Sequence, residues 1–368
     1  MKNPKKYDFL FITPGFAPSK YRTQSFIDSL NKNYQYRLLN ITKHNFPHAN
    51  ELNTFFRLAS NKKSPLLRIF KEILVGIEIS FRIQFIKFQR VYISLPPFIS
   101  FLLIGFILTL QKKKLIVDMR DDYPEAFFQS GLLKKNGIIG KIVQTLTNFI
   151  LKNSEIITVS NGIKNKLENQ YRGKKITLFR NGFGENFFPN TKKFEEFTVV
   201  HHGTLGRFQD VELLIKISDY IQNHTDQIRF LIIGDGLKEN LLIDSKLKNL
   251  EFVGKKSFKE IPEILAKCHL GLGLLTDDEI GKTAIPTKVY EYIGSGIPSI
   301  VSPIGEMSDF VIDNSLGFGF QNNEKEIGDK IIELSKNKDQ YLNAVDNVII
   351  KRKDFSRSAN GKNIQELF

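Results

Sequence analysis

The most informative segment of the chain is residues 285–301, which read IPTKVYEYIGSGIPSIV. The pattern predicts a loop, a helix that begins near Thr287, an end to that helix at the glycines of 294–296, and then a short buried strand. Pro286 suits a position just before or at the first helical turn, because its missing N–H leaves no donor unpaired there.

The first turn of this predicted helix combines groups that suit an anion with groups that suit hydroxyls. Free backbone N–H groups and the partial positive charge of a helix N-terminus favour an anion. Lys288 adds a full positive charge, and Glu291 follows on nearly the same face. A diphosphate attached to a sugar needs both kinds of group. The alternative is an ordinary helix start with a solvated lysine and glutamate.

The pattern Pro-Thr-Lys-x-x-Glu-Tyr-x-x-x-Gly-x-Pro at 286–298 resembles the donor-site segment of GT-B glycosyltransferases of the large retaining family 4. It is most similar to the branch that builds bacterial cell-surface polysaccharides, which includes fucosaminyltransferase-like enzymes. The resemblance implies an α/β protein with two doubly wound Rossmann-like domains that face a central cleft, and a C-terminal helix that crosses back. It also implies that Glu291 holds the ribose hydroxyls of a nucleotide sugar.

Length and composition indicate a globular protein of two domains. A chain of 368 residues is long enough for two cores. An apolar content of 41% with 32 phenylalanines argues against disorder. The lone Cys268 excludes an internal disulfide, fits a reducing cytosol and is predicted to be a core residue. The apolar run at 7–13 is too short for a signal sequence and predicts a first strand.

The net charge of +14 is concentrated in the first half of the chain. Residues 1–185 contain 30 Lys and Arg against 12 Asp and Glu, whereas residues 186–368 contain 23 against 27. A one-sided excess of positive charge suggests an anionic partner, either nucleic acid or an anionic membrane surface. No zinc-ligand spacing, basic-aromatic RNA motif or helix-turn-helix pattern accompanies the charge, which argues against nucleic acid.

Apolar segments that alternate with helical ones predict parallel sheets covered on both faces. In the first half the predicted strands lie at 8–13, 36–41, 91–95, 115–119, 156–160 and 176–179. In the second half they lie at 198–202, 229–233, 251–253, 270–275, 299–302 and 317–320. The domains then follow as an acceptor-side domain of 1–185 with a C-terminal helix at 354–368, a polar linker at 186–197, and a nucleotide-sugar-binding domain of 198–353.

Two apolar segments of the first half bear on membranes. Residues 91–110 carry no charge, but Pro96-Pro97 divides them, so we predict a strand and a short buried helix rather than a membrane span. Residues 62–90 carry seven basic residues and two glutamates among apolar residues at helical spacing. This second segment predicts an amphipathic helix, which either lies on anionic lipid or packs in the core with an exposed basic edge.

The turn at 201–207, HHGTLGR, follows a predicted strand of the second half. Its glycines let backbone N–H groups approach a phosphate, and Arg207 can grip that phosphate with two N–H groups. The turn resembles the family's first donor loop, but Thr204 stands where the family has arginine, and Gln209 or Asp210 stands near its lysine. We therefore predict that Arg207 and Lys288 supply the displaced positive charge.

The resemblance extends the donor site to further positions. The turn at 232–236, IIGDG, is similar to another family loop, with Asp235 as either a helix cap or a donor contact. Thr283 replaces the first glutamate of the family's Glu-seven-residues-Glu motif, so the donor sugar is not implied. The predicted donor-binding residues are Gly15, Gly203, Thr204, Leu205, Gly234, Gly236, Val253, Gly254, Ile285, Pro286 and Thr287.

The segment 118–125, DMRDDYPE, resembles the Asp-x-Arg-Asp-x-x-Pro-Glu segment of the polysaccharide branch. Arg120 stands where other family members have a histidine, and we place Arg120 and Asp121 on the acceptor side. The alternative is an internal ion pair between Arg120 and its acidic neighbours. The acids at 277–279 are expected to be solvated, because GT-B enzymes generally work without a metal.

The sequence therefore predicts a retaining, metal-independent glycosyltransferase without a cofactor, with Arg207, Lys288 and Glu291 as catalytic residues. The resemblance implies a nucleoside-diphosphate sugar, with UDP favoured, and a lipid-linked saccharide acceptor for cell-surface polysaccharide such as lipopolysaccharide or capsule. The protein is expected in the cytoplasm, on the inner face of the cell membrane, with no nucleic acid partner. The alternatives are a GT-B sugar-nucleotide 2-epimerase or hydrolase, and a non-catalytic basic protein that binds membrane or nucleic acid.

Overall fold

The computed structural model describes residues 6–14, 19–30, 34–41, 51–56, 58, 65–129, 131, 133–189 and 192–361. Its contacts divide the chain into two compact units, Met1–Arg180 with Gly361–Phe368 and Asn181–Asn360. The division lies slightly before the predicted end of the first domain at 185. Each unit is an α/β structure with its own parallel sheet, as the alternation of apolar and helical segments predicts.

The sheet of the first unit contains, within the described residues, seven parallel strands in the order β3-β2-β1-β4-β5-β6-β7. They are β1 (Lys6–Thr13), β2 (Tyr36–Asn40), β3 (Glu51–Asn53), β4 (Lys87–Ser94), β5 (Lys114–Met119), β6 (Ser154–Thr158) and β7 (Ile176–Leu178). The helices are α1 (Ser19–Ser29), α2 (Pro65–Arg82), α3 (Phe98–Leu110), α4 (Glu125–Gln129), α5 (Ile138–Lys152) and α6 (Asn161–Gln170). All six strands predicted for this half are present.

The sheet of the second unit has the order β10-β9-β8-β11-β12-β13 and is also parallel. Its strands are β8 (Phe197–His202), β9 (Ile228–Ile233), β10 (Leu250–Gly254), β11 (Leu270–Leu274), β12 (Ser299–Ser302) and β13 (Gly317–Gly319). The helices are α7 (Val211–Gln222), α8 (Glu239–Ser245), α9 (Ile261–Lys267), α10 (Glu279–Thr283), α11 (Thr287–Gly294), α12 (Glu306–Asp313), α13 (Glu324–Lys336), α14 (Lys338–Lys351) and α15 (Arg357–Gly361).

The predicted linker at 186–197 contributes to the core of the second unit. Phe187 is buried there, and Phe194 packs against the same cluster. Cys268 is buried in this core, as predicted. The start of α15 also lies in this unit, because the Arg357 amide donates to the carbonyl oxygen of Phe183 at 3.0 Å. The described part of the predicted C-terminal helix, 354–361, thus ends in α15 after a short 3-10 turn.

The apolar segment 91–110 divides as the two prolines predict. The end of β4 is buried, and α3 begins at Phe98 with Pro97 as its N-cap residue. Seven of the thirteen residues of α3 are buried, because this helix packs between α2 and α5 on the sheet. Among the described residues, no helix is both long and apolar enough to cross a bilayer.

Candidate functional site

The predicted glycine turns of the second unit meet at the carboxyl edge of its sheet. The Gly203 amide donates to Ile233 O at 2.9 Å, and the Gly234 amide donates to Gly254 O at 3.0 Å. These backbone bonds fasten together the loops that follow β8, β9 and β10. The carboxyl ends of parallel strands are where ligands of open α/β sheets bind. The structure therefore brings three of the predicted loops to one edge.

Glycine is needed in these loops because their backbones touch. A Cβ at Gly234 would overlap the carbonyl oxygen of Gly203, and one at Gly236 would lie 2.5 Å from the carbonyl oxygen of Leu205. Gly203 itself has a φ of +116°, which L side chains rarely adopt. The glycines thus permit close loop packing, and Leu205 is a fully buried core residue rather than an exposed binding group.

The helix α11 begins at Thr287, with Pro286 as its N-cap residue in extended conformation. No side chain caps the first turn, and the residues from Lys288 to Gly294 are all buried. Ile285 before the helix is buried as well, at 4% exposure. A helix start without a side-chain cap leaves backbone N–H groups for water or a ligand. The predicted helix and its start are confirmed.

Lys288 lies beneath the Gly203 turn with its amine held by two side chains. Its Nζ is 2.7 Å from Gln209 Oε1 and 3.1 Å from His201 Nε2. The other ring nitrogen of His201 is 3.2 Å from the carbonyl oxygen of Leu272. A neutral His201 protonated at Nδ1 would donate to that carbonyl and accept from Lys288. This arrangement orients the amine toward the glycine turn.

Burial lowers the pKa of Lys288 to about 7, although the nearby Glu291 carboxylate acts in the opposite direction. Burial, and then the Lys288 charge, also holds the pKa of His201 well below its ordinary value. The amine is therefore only partly protonated at neutral pH, and His201 is neutral. An anion placed beside Lys288 would favour the charged amine.

Glu291 projects from the same helix and meets His202. Its Oε2 is 3.2 Å from His202 Nε2, and both side chains are buried. Burial raises the pKa of Glu291 to about 7, while Arg357 and Lys288 oppose that rise. Burial and the Lys288 charge lower the pKa of His202 to about 3, so this imidazole is neutral. The Glu291 carboxyl therefore gains or loses a proton near neutral pH beside a neutral imidazole.

Several predicted residues lie on these loops with different exposures. Thr204 and Arg207 are exposed on the loop after β8, and Asp210 caps α7 through a bond from the Leu213 amide at 2.9 Å. Val253 at the end of β10 is half-buried. Asp235 is not a helix cap, since α8 begins later with Lys238 as its N-cap residue.

Asp235 instead ties neighbouring loops together. Its carbonyl oxygen accepts from the Leu205 amide at 2.9 Å, and its carboxylate lies 3.5 Å from Lys255 Nζ. Within the described chain, no group of three or more His, Cys, Asp or Glu side chains could hold a metal ion. The predicted solvated acids at 277–278 have local partners: Asp277 pairs with Lys282, and Asp278 caps α10.

Four residues around Lys288 and Glu291 were missed by sequence reasoning. His201 and His202 form a dipeptide at the end of a strand, which is a signal for placement at the sheet edge. Gln209 was noted only as a departure from the family pattern. Arg357 is 66 residues beyond Glu291 in the sequence, and no local pattern connects the two.

The carboxyl edge of the first sheet contains a buried ion pair. The Arg22 guanidinium donates from Nη2 to Asp118 Oδ1 at 2.7 Å and from Nε to Oδ2 at 2.8 Å. The Tyr92 hydroxyl donates to Oδ2 at 2.6 Å. Burial alone would raise the pKa of Asp118, but Arg22, Arg120 and the Tyr92 bond together lower it. Asp118 is therefore a buried carboxylate at neutral pH.

The predicted acceptor-side residues lie beside this pair. Arg120 Nε donates to the carbonyl oxygen of Leu95 at 2.6 Å, and Asp121 is exposed. The acidic neighbour Asp118 is paired with Arg22 from a distant part of the chain, while Asp122 pairs with Lys166. Gly15, the predicted donor-binding residue of the first half, lies outside the described residues.

Part of the second unit is similar in sequence to known proteins. Residues 196–337 match the family model described as glycosyl transferases group 1. An uncharacterized glycosyltransferase from Methanocaldococcus jannaschii is 27% identical over 214 residues, which are 56% of this chain and 56% of that protein. The chain thus matches little more than half the length of this curated relative.

Solved structures are similar over nearly the whole chain. Sucrose-phosphate synthase from Thermosynechococcus elongatus has a TM-score of 0.75 at 12% identity and covers 98% of each chain. HepE from Anabaena, solved in complex with UDP-glucose, has a TM-score of 0.72 at 15% identity and covers 98% of this chain and 99% of its own. Likeness at such low identity shows the fold alone. The chain therefore has the GT-B fold, and residues 196–337 of its second unit are similar in sequence to the group 1 glycosyl transferases.

Proposed function

We propose that this protein is a retaining glycosyltransferase of the family 4 type. It would move a sugar from a nucleoside diphosphate to a hydroxyl of a lipid-linked saccharide in the synthesis of a cell-surface polysaccharide. One observation carries the proposal: the buried amine of Lys288, the uncapped start of α11 and the Glu291 carboxyl stand together beside the Gly203 turn. A diphosphate with an attached ribose requires that combination of groups.

Lys288 and the α11 N-terminus would stabilise the leaving diphosphate. As the bond between the anomeric carbon and the diphosphate oxygen breaks, negative charge grows on that oxygen. Preorganised donors in a site that excludes water stabilise such charge strongly. His201 and Gln209 already hold the amine in place. The exposed Arg207 on the same loop is proposed as a second cation for the diphosphate.

Retention of configuration fits a reaction on one face of the sugar. The acceptor oxygen bonds to the anomeric carbon, and its proton passes to an oxygen of the departing diphosphate. Glu291 is proposed to accept hydrogen bonds from the ribose hydroxyls, with His202 as its neutral buried partner. In this scheme no protein carboxylate attacks the sugar, and no metal or cofactor is required.

UDP is the proposed nucleotide, supported by the similarity in fold to HepE, which was solved with UDP-glucose. The lipid-linked acceptor is supported by the excess of basic residues in the first half of the chain, since polyprenyl diphosphates and bilayers are both anionic. The protein would then work on the cytoplasmic face of the cell membrane, in contact with anionic lipid.

A nucleotide screen tests the donor assignment. UDP or a UDP-sugar at about 100 times its dissociation constant should stabilise the protein by about 2.7 kcal/mol. For a unit of this size that corresponds to a rise in melting temperature of roughly 5–10 °C. The screen compares UDP, GDP and their sugars, with and without EDTA. No shift with any nucleotide would contradict the proposal, and isomerisation of a UDP-sugar without an acceptor would indicate an epimerase instead.

The affinity for the UDP-sugar should depend on pH with a maximum near 7. Below that value Glu291, with a pKa of about 7, is protonated and accepts hydroxyl bonds less well. Above it Lys288, also with a pKa of about 7, loses the charge that attracts diphosphate. Isothermal titration between about pH 5.5 and 9 measures this profile. A UDP-sugar is the right probe, because its diphosphate diester does not titrate in this range.

Two variants show which residue causes the acidic and which the alkaline limb of the pH profile. Lys288→Met should flatten the alkaline limb and leave the acidic one, while Glu291→Gln should do the reverse. A wild-type affinity that stays constant across the range would contradict these roles. Limbs that persist in both variants would show that other groups titrate.

A further inference from the structure

The outward side of α2 and the turn after it form an exposed apolar stripe. Its members recur at intervals of four or seven residues, which places them on one side of the helix. They are exposed by 56–77% and comprise Leu66, Phe70, Ile77, Phe81 and Phe85. The rings of Phe81 and Phe85 are in edge contact at 5.1 Å. Large side chains of this kind are rarely grouped on the free surface of a soluble protein.

This stripe is separate from the side of α2 that builds the core. Val75, Ile79 and Ile83 are buried against the sheet side. Gly76 lets the helix approach α3 closely, since a Cβ there would lie 2.8 Å from the Leu103 side chain. The core requirement of α2 is therefore already met by its other face. The exposed stripe needs a different explanation.

The stripe continues onto two neighbouring helices. Gln111 Nε2 donates to Gln84 Oε1 at 2.8 Å, which joins the end of α3 to the turn after α2, and Leu110 at that end of α3 is 59% exposed. Phe106 of α3 then contacts Phe149 of α5, with ring centroids 5.9 Å apart. On the same side of α5, the exposed residues are Ile138 and Ile142. We call the exposed apolar side chains of α2, α3 and α5 the apolar face.

Basic side chains border the apolar face. Lys87, Lys112 and Lys114 are exposed next to the α2 and α3 ends. Lys134 and Lys141 are exposed near the start of α5, as is Lys135, which pairs with Glu125 at 2.8 Å. Both glutamates of α2 are engaged internally. Glu72 accepts from the Ile99 amide at 3.0 Å, and Glu78 accepts from the Phe55 amide at 2.7 Å. The border of the face is thus predominantly positive.

We infer that the apolar face is a docking surface for an anionic lipid bilayer, with its phenylalanines and isoleucines at the headgroup boundary and the lysines on the headgroups. Apolar side chains bordered by lysines match the layering of such a bilayer. A second copy of the chain would bring two positive borders together, which like-charge repulsion opposes. The inference deepens the proposed function, because it rests on a membrane-bound acceptor and names the surface that meets that membrane.

Vesicle co-sedimentation tests the inference. The full chain is mixed, in about 0.1 M NaCl, with vesicles of phosphatidylcholine alone or with about 30% phosphatidylglycerol. We expect binding to the anionic vesicles, weakened at higher salt. Phe81→Ser with Phe85→Ser should reduce that binding at least about tenfold, since each ring loses its burial in lipid. Lys112→Ser with Lys114→Ser should weaken binding to the anionic vesicles and reduce its salt dependence.

The matched control is Leu342→Ser with Ile350→Ser, two exposed apolar residues of α14 in the other unit, which should leave vesicle binding unchanged. The UDP-induced rise in melting temperature, measured on every variant, separates this inference from the donor assignment. Loss of vesicle binding with the UDP shift retained supports the docking surface. Unchanged vesicle binding in the Phe81/Phe85 variant would overturn it, as would a wild-type dimer in light scattering that this variant dissociates.

Discussion

Lys288→Met is expected to lower kcat/KM for sugar transfer by two to three orders of magnitude. The variant keeps the length of the side chain but removes the cation beside the Gly203 turn. Loss of one preorganised group that stabilises charge in a transition state typically costs a factor of about 10²–10³. The melting temperature should be unchanged or higher, because the buried amine has a lowered pKa and is costly to keep charged.

Lys282→Met is the matched control for this experiment. Lys282 lies in α10 close to α11 in sequence, but it is half exposed and pairs with Asp277 at 2.7 Å. Its replacement should leave kcat/KM within about twofold, since exposed pairs contribute little. If the Lys288→Met variant keeps the wild-type kcat/KM, Lys288 is not part of the mechanism. A comparison of kcat/KM for the single variants Arg207→Ala and Thr204→Ala shows whether Arg207 is the second cation.

Arg22→Met is expected to destabilise the first unit by about 3–5 kcal/mol. The substitution leaves the Asp118 carboxylate buried without its guanidinium partner, which is the costly way to break a buried pair. It also removes the Arg22 cation from above the Phe179 ring, where it sits 4.3 Å from the centroid. At roughly 2–4 °C per kcal/mol, the melting temperature should fall by about 10 °C. Differential scanning calorimetry measures the change.

The loss of stability caused by Arg22→Met should depend on pH in a defined direction. In the wild type the pKa of Asp118 is lowered, so its pairing stabilises the fold above the unfolded pKa of about 3.9 and is lost as pH falls through the folded pKa. The difference between wild type and Arg22→Met should therefore be largest at neutral pH and shrink in acid.

Two further variants show whether the pair is the cause. Adding Asp118→Asn to Arg22→Met should recover part of the stability, because the buried charge is gone and the amide oxygen still accepts from Tyr92. Lys164→Met breaks an exposed pair with Glu168 and should cost less than about 1 kcal/mol. An Arg22→Met penalty as small as that of Lys164→Met would show that the buried pair contributes little.

Most of the fold could be predicted because the buried strands are recognisable in the sequence as short apolar segments. Segments such as 115–119 are apolar throughout, as strands covered on both faces must be, and each predicted strand is found within a few residues of its predicted place. β3 was missed because Glu51–Asn53 is short and mostly polar, with only Leu52 packed against the core. Its strand state depends on pairing with β2, which a local pattern does not reveal.

The candidate site was predictable where chemistry and local structure share a segment. Lys288 and Glu291 follow from the helix start at Thr287, which the sequence marks with Pro286. The contacts of buried charged side chains come from distant segments: His201 is 87 residues from Lys288, and in the first unit Arg22 is 96 residues from Asp118. Such contacts are made by the parallel sheets, which bring distant strand ends to one edge.

The helix α11 has a consequence for how this protein can change over time. Val289, Tyr290, Tyr292 and Ile293 fill the interior, and Lys288 and Glu291 in the same helix are the residues to which we assign the proposed chemistry. A substitution among the buried apolar residues shifts Lys288 and Glu291, and a substitution of either of these two disturbs the packing. The segment therefore has almost no tolerance for neutral substitution. New substrate preferences must then evolve in the surrounding loops, and directed evolution libraries for this protein should spare α11 and diversify those loops.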